Sequence, residues 1–185
     1  MNLSDLVVVT SNRNKIAEIN AILGTNHKVS KINIPEIQSM NIDKVITAKA
    51  KSAFEKIQKP VLVEDVSVDI KELRGLPGPF IKFFLETLGT EGVAKLTTGK
   101  KPEATVTAAI AIYDGKNLKI FKSQVSGTIT KKDRGVGGFG FDRIFIPNGY
   151  KQTYSEMPQE LKNKISHRSK ALKKVAAYLN NSVDK

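Results

Sequence analysis

The sequence contains no cysteine, which excludes disulfides, thiolate nucleophiles and zinc sites built on sulfur. Its only histidines are His27 and His167, which argues against a multi-histidine metal site. No run of about 18 apolar residues occurs, so no membrane-spanning helix is predicted. The first residues lack the basic flank and the long apolar region of a signal peptide. We therefore expect a cytoplasmic protein with no membrane partner.

Several common enzyme motifs are also missing. No G-x-S-x-G segment is present, which argues against a serine hydrolase with a nucleophile elbow. No G-x-G-x-x-G follows the first predicted strand, as a dinucleotide-binding fold would require. The loop after that strand also lacks the spacing of a Walker motif.

The chain is strongly basic, with a formal charge of +12 from 30 Lys and Arg against 18 Asp and Glu. Such an excess attracts phosphate groups, although a solvated lysine-rich surface gives the same count. The lysines are spread along the whole chain and no aromatic RNA-binding signature accompanies them. A nucleic-acid-binding protein is therefore kept only as a less favoured alternative. A length of 185 residues indicates one domain, or two closely packed lobes.

The pattern of apolar residues predicts an α/β fold with a mixed, twisted sheet. The predicted strands cover 6–12, 27–34, 60–65, two runs of a hairpin over 104–129 joined by "DGKN", and 143–147. The predicted helices cover 15–23, 43–57, 80–88 and, as one helix or two, 161–179. Asp43 is predicted to cap the second helix, and Gly24 and Gly89 to end the first and third.

Residues 60–79 contain two further features. The apolar run 60–65 ends in two acids, and "VSVDI" either continues that strand or pairs as another. Prolines and glycines predict a rigid loop over 73–79.

Polar segments that follow apolar strands are the first candidate sites, because ligands of open α/β sheets lie beyond the carboxyl ends of strands. "TSNRNK" (10–15) joins a strand to a helix, so its amides and Lys15 suit an anion; a plain polar helix cap is the alternative. Glu64 and Asp65 would point to opposite faces of an extended strand. Carboxylates are hard oxygen ligands for Mg²⁺, and Glu36 is a third acid that could join them. An acidic turn is the alternative.

Late-chain candidates lie in "KNKISHRSK" (162–170). His167 and Arg168 could recognise a ligand, and Lys162 could share a helix face with Ser166. The alternatives are a helix-capping or surface histidine at 167 and a surface ion pair of little value at Arg168.

Five segments in order resemble the inosine triphosphate pyrophosphatase (Ham1-like) family of house-cleaning nucleotidases. They are "TSNRNKIAEI", "PVLVEDVSV", "LRGLPGPFIKFFLE", "GGFGFDRIFIPNGYKQTYSEMP" and "KNKISHRSKAL". The resemblance runs from about Val7 to about Leu172. It implies an elongated α/β fold with flanking helices, two lobes and a central cleft, forming one domain over residues 1–185. It also implies a homodimer.

The implied activity is Mg²⁺-dependent hydrolysis of deaminated purine nucleoside triphosphates (ITP, dITP and XTP) to the monophosphate and pyrophosphate, with Mn²⁺ as a substitute metal. A relative that cleaves modified pyrimidine triphosphates is an alternative, against which "SHR" and "GFGFD" argue. Glu36 and Asp65 resemble the metal ligands. Asp65 also resembles the base that activates water, with Glu64 as the fallback.

The same resemblance implies the residues that bind substrate. They are Thr10, Ser11, Asn12, Arg13, Asn14 and Lys15 in the phosphate-binding loop, Lys49 and Lys82 against the triphosphate, Val66, and Phe139, Gly140, Phe141, Asp142, Lys162, His167 and Arg168 around the nucleoside. Ser11 and Val66 depart from the family pattern, where glycine and a hydroxyl residue are common. Val66 thereby removes a hydroxyl next to Asp65.

The glycine-rich stretch 135–145 fits a nucleobase better than a phosphate. Its glycines would let backbone amides approach a flat base, and Phe139 or Phe141 would stack on it. Phe141 has a core position as its alternative. Asp142 can only accept hydrogen bonds when ionised, so we expect it to orient Arg168 or to accept from a ring N–H.

Overall fold

The computed structural model describes residues 5–24, 28–97 and 102–181. The strands found there are β1 (Val7–Val9), β2 (Lys28–Ser30), β3 (Val61–Ile70), β4 (Pro77–Gly78), β5 (Glu103–Tyr113), β6 (Leu118–Ile129) and β7 (Phe145–Pro147). The helices are α1 (Arg13–Leu23), α2 (Ile42–Ile57), α3 (Ile81–Lys95), α4 (Gln159–Ile165) and α5 (His167–Asn180). The predicted α/β class is confirmed.

The strands form one mixed sheet with the order β2-β1-β3-β5-β6-β7, and β4 pairs with β3 outside this row. β1 is parallel to β2 and to β3, with Val8 opposite Val29 and Leu62. β4 and β7 are antiparallel to β3 and β6, respectively. The predicted mixed sheet is therefore present.

The β5–β6 hairpin forms where the sequence predicted it. In the connecting turn, Oδ1 of Asp114 accepts hydrogen bonds from the backbone N–H groups of Lys116, at 2.9 Å, and Asn117, at 2.6 Å. A short carboxylate that bonds to its own turn is the reason why aspartate favours this position.

The chain divides into two compact units. Unit 1 consists of Met1–Asp65, Ala108–Ser123 and Arg168–Lys185, and unit 2 consists of Val66–Thr107 and Gln124–His167. β3, β5 and β6 each contribute residues to both units.

Unit 1 buries apolar side chains on both faces of its strands. In β1, Val8 packs in a cluster with residues of α1 and α5, whereas Val7 and Val9 pack in a second cluster with residues of α2. Successive side chains of a strand point to opposite faces, so the alternation assigns one cluster to each face. Strands buried on both faces must be apolar throughout, which explains the uninterrupted apolar run that begins at Leu6.

Unit 2 has a core of its own. Val66, Val68 and Ile70 project from β3 into a cluster that contains Phe145 and Tyr154. Helix α3 contributes Ile81, Val93 and Ala94 to the same cluster. None of the described helices is long and apolar enough to cross a bilayer.

Strand β3 differs from its prediction, because it runs unbroken from Val61 through both acids to Ile70. The predicted strand end at residue 65 is wrong, and the alternative that "VSVDI" continues the strand is confirmed. The cause is the apolar alternation at Val66, Val68 and Ile70, which fills the core of unit 2. Glu64 and Asp65 therefore lie in the middle of a strand rather than at its end.

Helix termini show both agreement and error. Gly24 ends α1 with φ 66°, as predicted. The predicted cap of α2 is wrong, because Asn41 precedes the helix in extended conformation and its Oδ1 accepts from the N–H of Asp43 at 2.9 Å. Gly89 is non-helical, with φ 67° and ψ 177°, yet helical structure resumes and α3 extends to Lys95.

Three further segments can be compared with their predictions. The predicted strand 27–34 shrinks to β2, and its first residue, His27, lies outside the described residues. The predicted loop over 73–79 contains the short strand β4. The C-terminal segment forms two helices rather than one.

Candidate active site

The predicted phosphate-binding loop lies between β1 and α1, and Asn12 caps the helix. Its Oδ1 accepts hydrogen bonds from the backbone N–H groups of Asn14, at 3.0 Å, and Lys15, at 3.2 Å. Thr10 Oγ1 accepts from the N–H of Asn12 at 3.2 Å. The alternative prediction, a polar cap at the start of α1, is therefore confirmed. Two of the backbone amides that were predicted to bind an anion already donate to Asn12. Ser11, Arg13 and Asn14 are exposed.

Lys15 points from α1 toward Glu64 of β3. Its Nζ lies 3.5 Å from Oε2 of Glu64, and 18% of its side chain is exposed. Burial lowers the pKa of Lys15, and the charge of Glu64 opposes this effect. A lysine held beside a carboxylate near the helix start supplies a fixed positive charge, which is what phosphate binding needs.

Arg168, the second residue of α5, is buried between two carboxylates of unit 1. Its Nε donates to Oε1 of Glu64 at 2.7 Å, and its Nη1 donates to Oε2 of Glu18. Burial disfavours the charge, but Glu64 and Glu18 outweigh it and raise the pKa of Arg168. Arg168 is 3% exposed, so the alternative of a weak surface ion pair is wrong.

Lys49 of α2 brings two predicted metal ligands together. Its Nζ donates to Oε1 of Glu36 at 2.6 Å and to Oδ2 of Asp65 at 3.2 Å. Burial lowers the pKa of Lys49, but the charges of Asp65 and Glu36 and their hydrogen bonds outweigh it and raise this pKa. The acidic-turn alternative for Asp65 is wrong, since β3 continues past it.

This pair of carboxylates fits a hard cation in its chemistry. Glu36 and Asp65 already share one positive group, the ammonium of Lys49. Mg²⁺ is usually held by one or two carboxylates, with water and substrate phosphates as its other ligands. No group of three or more metal-ligating side chains occurs within the described residues, so the protein alone offers a partial site.

In unit 2, a buried ion pair underlies the glycine-rich stretch. Lys162 Nζ donates to Oδ2 of Asp142 at 2.6 Å, and both side chains are almost fully buried. The same oxygen accepts from the N–H of Phe139 at 2.7 Å. The Lys162 ammonium also lies 4.8 Å from the centre of the Phe139 ring. Asp142 therefore fixes the position of Phe139, a role that the sequence did not predict.

The two phenylalanines of the stretch have different surroundings. Phe141 is 8% exposed and packs edge-on against Phe145 in the core of unit 2, so the core alternative describes it. Phe139 is only partly buried. His167 is 1% exposed and its ring lies 5.7 Å from that of Phe141 and 6.0 Å from that of Tyr154. A surface position for His167 is therefore wrong.

The remaining predicted residues lie on other elements of unit 2. Lys82 is exposed in the first turn of α3, with its Nζ 6.0 Å from the Phe83 ring. Val66 is 7% exposed and belongs to the unit 2 core, which explains why an apolar side chain follows Asp65. Gly140 is exposed and has φ 61°.

Sequence reasoning missed Glu18 and Tyr154. Glu18 is a buried partner of Arg168, and Tyr154 is a buried ring beside His167. One signal was available for Glu18, a charged residue on the otherwise apolar face that contains Ile19 and Ile22 of α1. No local pattern marks Tyr154, since its neighbours come from other elements.

Comparison with known proteins identifies the family. The model of the Ham1 family matches residues 6–178. This chain belongs to the Ham1 family. It is 42% identical to an inosine triphosphate pyrophosphatase of Emericella nidulans, over 92% of this chain and 94% of that protein. It is 38% identical to a dITP/XTP pyrophosphatase of Thermococcus kodakarensis, over 94% of this chain and 96% of that protein.

Solved Ham1 structures share the fold. The Staphylococcus aureus Ham1 protein has a TM-score of 0.73 at 24% identity, covering 95% of this chain and 98% of that one. A Ham1 protein from Coxiella burnetii has a TM-score of 0.78 at 23% identity, covering 95% and 99%. The match to the Ham1 family model and the two relatives described above confirm the resemblance inferred from the five sequence segments.

Proposed function

We propose that this protein hydrolyses deaminated purine nucleoside triphosphates (ITP, dITP and XTP) to the monophosphate and pyrophosphate. The observation that carries the proposal is the convergence of Glu36 and Asp65 on Lys49, beside a second charged group made by Lys15, Glu64, Glu18 and Arg168. The names of relatives at 42% and 38% identity support the same reaction.

In the proposed reaction, a water oxygen attacks the α-phosphorus. The bond from that phosphorus to the oxygen bridging the β-phosphate breaks, pyrophosphate leaves, and Asp65 accepts the proton from the water. Mg²⁺ held by Glu36 and Asp65, or Mn²⁺ in its place, would neutralise phosphate charge and acidify the water. Asp65 is preferred to Glu64 as the base, because Glu64 already accepts from Arg168 and its other oxygen faces Lys15.

Several polar and charged side chains would each bind a part of the triphosphate. We assign Thr10–Lys15, Lys49 and Lys82 to the phosphates, where they oppose the charge that develops on the leaving group. Exposed Ser11, Arg13 and Asn14 are accessible for such contacts. The Asn12 cap supports the proposal indirectly, since it fixes the start of α1.

Base selection is assigned to the glycine-rich stretch of unit 2. Phe139 would stack on the purine, and the backbone amides around Gly140, with His167, Arg168 and Lys162, would recognise the 6-oxo group. Hypoxanthine and xanthine carry an acceptor at that position, whereas adenine carries a donor. Guanine also carries the 6-oxo group, so its rejection would require that the 2-amino group be excluded by shape or left without a hydrogen-bond partner. A site that donates to an oxygen rejects an amino group strongly, because the buried donors would be left without partners.

A substrate panel tests the proposal directly. Purified protein with Mg²⁺ should release pyrophosphate from ITP, dITP and XTP much faster than from ATP, GTP or modified pyrimidine triphosphates. Hydrolysis of ATP and GTP at the same rate as ITP, or release of orthophosphate in place of pyrophosphate, would contradict the proposal. Salt-dependent binding of duplex DNA or RNA without hydrolysis would favour the nucleic-acid alternative.

The role of Asp65 has a matched control in the same strand. Asp65→Asn should reduce kcat at least about 100-fold, the usual size of a lost general base. Asp69→Asn should leave kcat unchanged, because the Asp69 carboxylate bonds to Ser67. Near-normal turnover in Asp65→Asn would refute the assignment.

We also propose that residues 1–185 form one domain, that the protein is a cytoplasmic homodimer, and that its activity requires Mg²⁺. Light scattering of the purified protein would test the dimer. Loss of pyrophosphate release on chelation, with recovery on adding Mg²⁺, would support the metal requirement.

A further inference from the structure

An exposed loop precedes Phe139 and Gly140, which are assigned to recognition of the purine. We call residues 133–138 the glycine loop and residues 153–156 the loop anchor. Val136 is 96% exposed, and the glycines around it are exposed as well. A short glycine-rich loop on a surface is expected to sample many conformations.

Side chains of the loop anchor fasten this loop by its backbone. Thr153 Oγ1 donates to the carbonyl of Arg134 at 3.0 Å, and Ser155 Oγ donates to the carbonyl of Gly137 at 2.5 Å. The N–H of Gly137 donates in return to the carbonyl of Ser155 at 3.3 Å. Thr153 and Ser155 are 0% and 5% exposed. An exposed loop is thus tied to two buried hydroxyl groups.

A bidentate ion pair between Arg134 and Glu156 also joins the glycine loop to the loop anchor. Arg134 Nε lies 3.2 Å from Oε1 of Glu156, and Arg134 Nη2 lies 2.9 Å from Oε2. That second oxygen also accepts from the N–H of Thr153 at 2.8 Å, and Nη2 donates to the Lys151 carbonyl. The hydrogen bond from Thr153, and then the charge of Arg134, lower the pKa of Glu156. Two-point geometry within a network distinguishes this pair from an ordinary surface ion pair.

The glycines permit the close approach that these bonds need. A Cβ at Gly135 would lie 2.6 Å from the carbonyl carbon of Ser155, and one at Gly137 would lie 3.1 Å from its oxygen. Gly135 has φ 84°, a region that side chains disfavour. The loop backbone therefore packs directly on the backbone of the loop anchor.

The loop anchor is also connected to the base-recognition residues. The N–H of Ser155 donates to the carbonyl of Asp142 at 3.1 Å, and the N–H of Arg134 donates to the carbonyl of Arg143 at 2.9 Å. Asp142 in turn holds the N–H of Phe139. Hydrogen bonds, joined by short stretches of backbone, thus connect Glu156 to Phe139.

We propose that Thr153, Ser155 and Glu156 are positioning residues for base recognition: they hold the glycine loop in the one conformation that presents Phe139 and the following amides to the purine. This inference rests on the proposed function. When only a fraction of molecules has the binding-competent loop, the apparent affinity for the base falls by that fraction. Chemistry at the α-phosphorus is unaffected once the substrate is bound.

Steady-state kinetics of the full-length protein test the proposal. Glu156→Ala and Ser155→Ala should raise KM for ITP about tenfold and leave kcat within about twofold. Glu156→Gln keeps an acceptor for Thr153, so it should recover much of the affinity. Inorganic tripolyphosphate has no base, and its inhibition constant should be the same in all variants. Glu103→Ala, which removes the exposed ion pair with Lys71 in the same unit, is the matched control and should change nothing.

Other outcomes would overturn the inference. A fall in kcat at constant KM, or an equal loss of affinity for tripolyphosphate, would mean that the loop anchor acts generally rather than through the base. Amide hydrogen exchange of residues 133–139 in the absence of nucleotide provides a readout independent of the substrate. We expect faster exchange in Glu156→Ala than in wild type, and unchanged exchange would overturn the anchoring whatever the enzyme hydrolyses. Failure of wild type to hydrolyse ITP would instead count against the proposed function.

Discussion

Arg168 balances two buried carboxylates of unit 1. It links Glu18 of α1 to Glu64 of β3, and all three side chains are buried. A buried ion pair adds little net stability, but removing one partner leaves the others without compensation. The guanidinium of Arg168 is therefore needed for the stability of the fold, in addition to any role in binding a ligand.

We predict that Arg168→Met lowers the free energy of unfolding by about 3–5 kcal/mol, because Glu18 and Glu64 would stay buried after losing the guanidinium that both contact. Urea denaturation of the metal-free protein measures this change. Lys71→Met, which breaks an exposed pair, is the control and should leave the midpoint unchanged. An Arg168→Met protein as stable as wild type would show that solvent reaches these carboxylates.

The partners of Arg168 illustrate what residue patterns do not contain. "SHR" singles out the arginine, but Glu64 and Glu18 lie 104 and 150 positions away in the chain. The sequence offered the pairing of Asp65 with Glu36 as one possibility and the resemblance implied it, but Lys49, whose ammonium lies between them, was assigned to the triphosphate. Local patterns select residue types that carry charge; long-range packing decides which charges meet.

At the scale of elements, the turn that contains Asp142 depends on a glycine before it. Gly138 has φ 68°, and a Cβ there would lie 2.4 Å from Oδ2 of Asp142. That oxygen is already fixed by Lys162 and by the N–H of Phe139. A larger residue would have to displace a buried ion pair.

Gly138→Ala should cost more than about 2 kcal/mol of unfolding free energy, from the positive φ and the displaced pair together. Gly149→Ala is the matched control, because Gly149 also has a positive φ, 86°, but no atom within 4 Å of the added Cβ. It should cost only about 1 kcal/mol. The urea denaturation midpoints of the two variants separate the cost of the positive φ from the cost of displacing the ion pair. Equal costs would mean that the pair moves aside freely.

Predictions for the elements succeeded where the determinants are local. The hairpin turn at Asp114 and the end of α1 at Gly24 depend on residues within a few positions. The length of β3 does not, because the core of unit 2 that Val66, Val68 and Ile70 fill is built from residues distant in the chain. Asn41, rather than Asp43, caps α2, because its Oδ1 accepts from the N–H groups of Asp43 and Lys44 and so places Asp43 inside the first turn.

At the scale of the molecule, each unit has its own hydrophobic clusters, but neither is a continuous piece of chain. The chain passes between the units after Asp65, Thr107, Ser123 and His167. Strands β3, β5 and β6 contribute to both, so loss of pairing in one unit must disturb the same strands in the other. This continuity supports the proposal of a single domain.

A large-to-small substitution in the core of either unit should therefore lower the midpoint of one cooperative unfolding transition of the whole protein. Ile110→Ala in unit 1 should cost about 2–5 kcal/mol, and Phe145→Ala in unit 2 about 3–5 kcal/mol. Far-ultraviolet circular dichroism and calorimetry would follow the unfolding. Coincident transitions in both variants are expected, whereas a separate early transition in one of them would indicate two independent domains.

The charge of +12 belongs to the molecule rather than to the candidate site. Lys15, Lys49 and Lys162 each lie beside at least one carboxylate. Lys15 and Lys49, two of the lysines predicted to bind phosphates, are thus partly neutralised by neighbouring carboxylates.

The sheet ends in two very short strands. Within the described residues, the outer strands in its row, β2 and β7, have three residues each, although β5 and β6 have 11 and 12. β7 ends in Pro147, which has no N–H to offer another strand. A long open edge would be a template for pairing with other chains, and proteins commonly protect against it with short edges and proline. The long strands β5 and β6 thus lie inside the row, an arrangement that is expected to disfavour edge-to-edge association at high concentration.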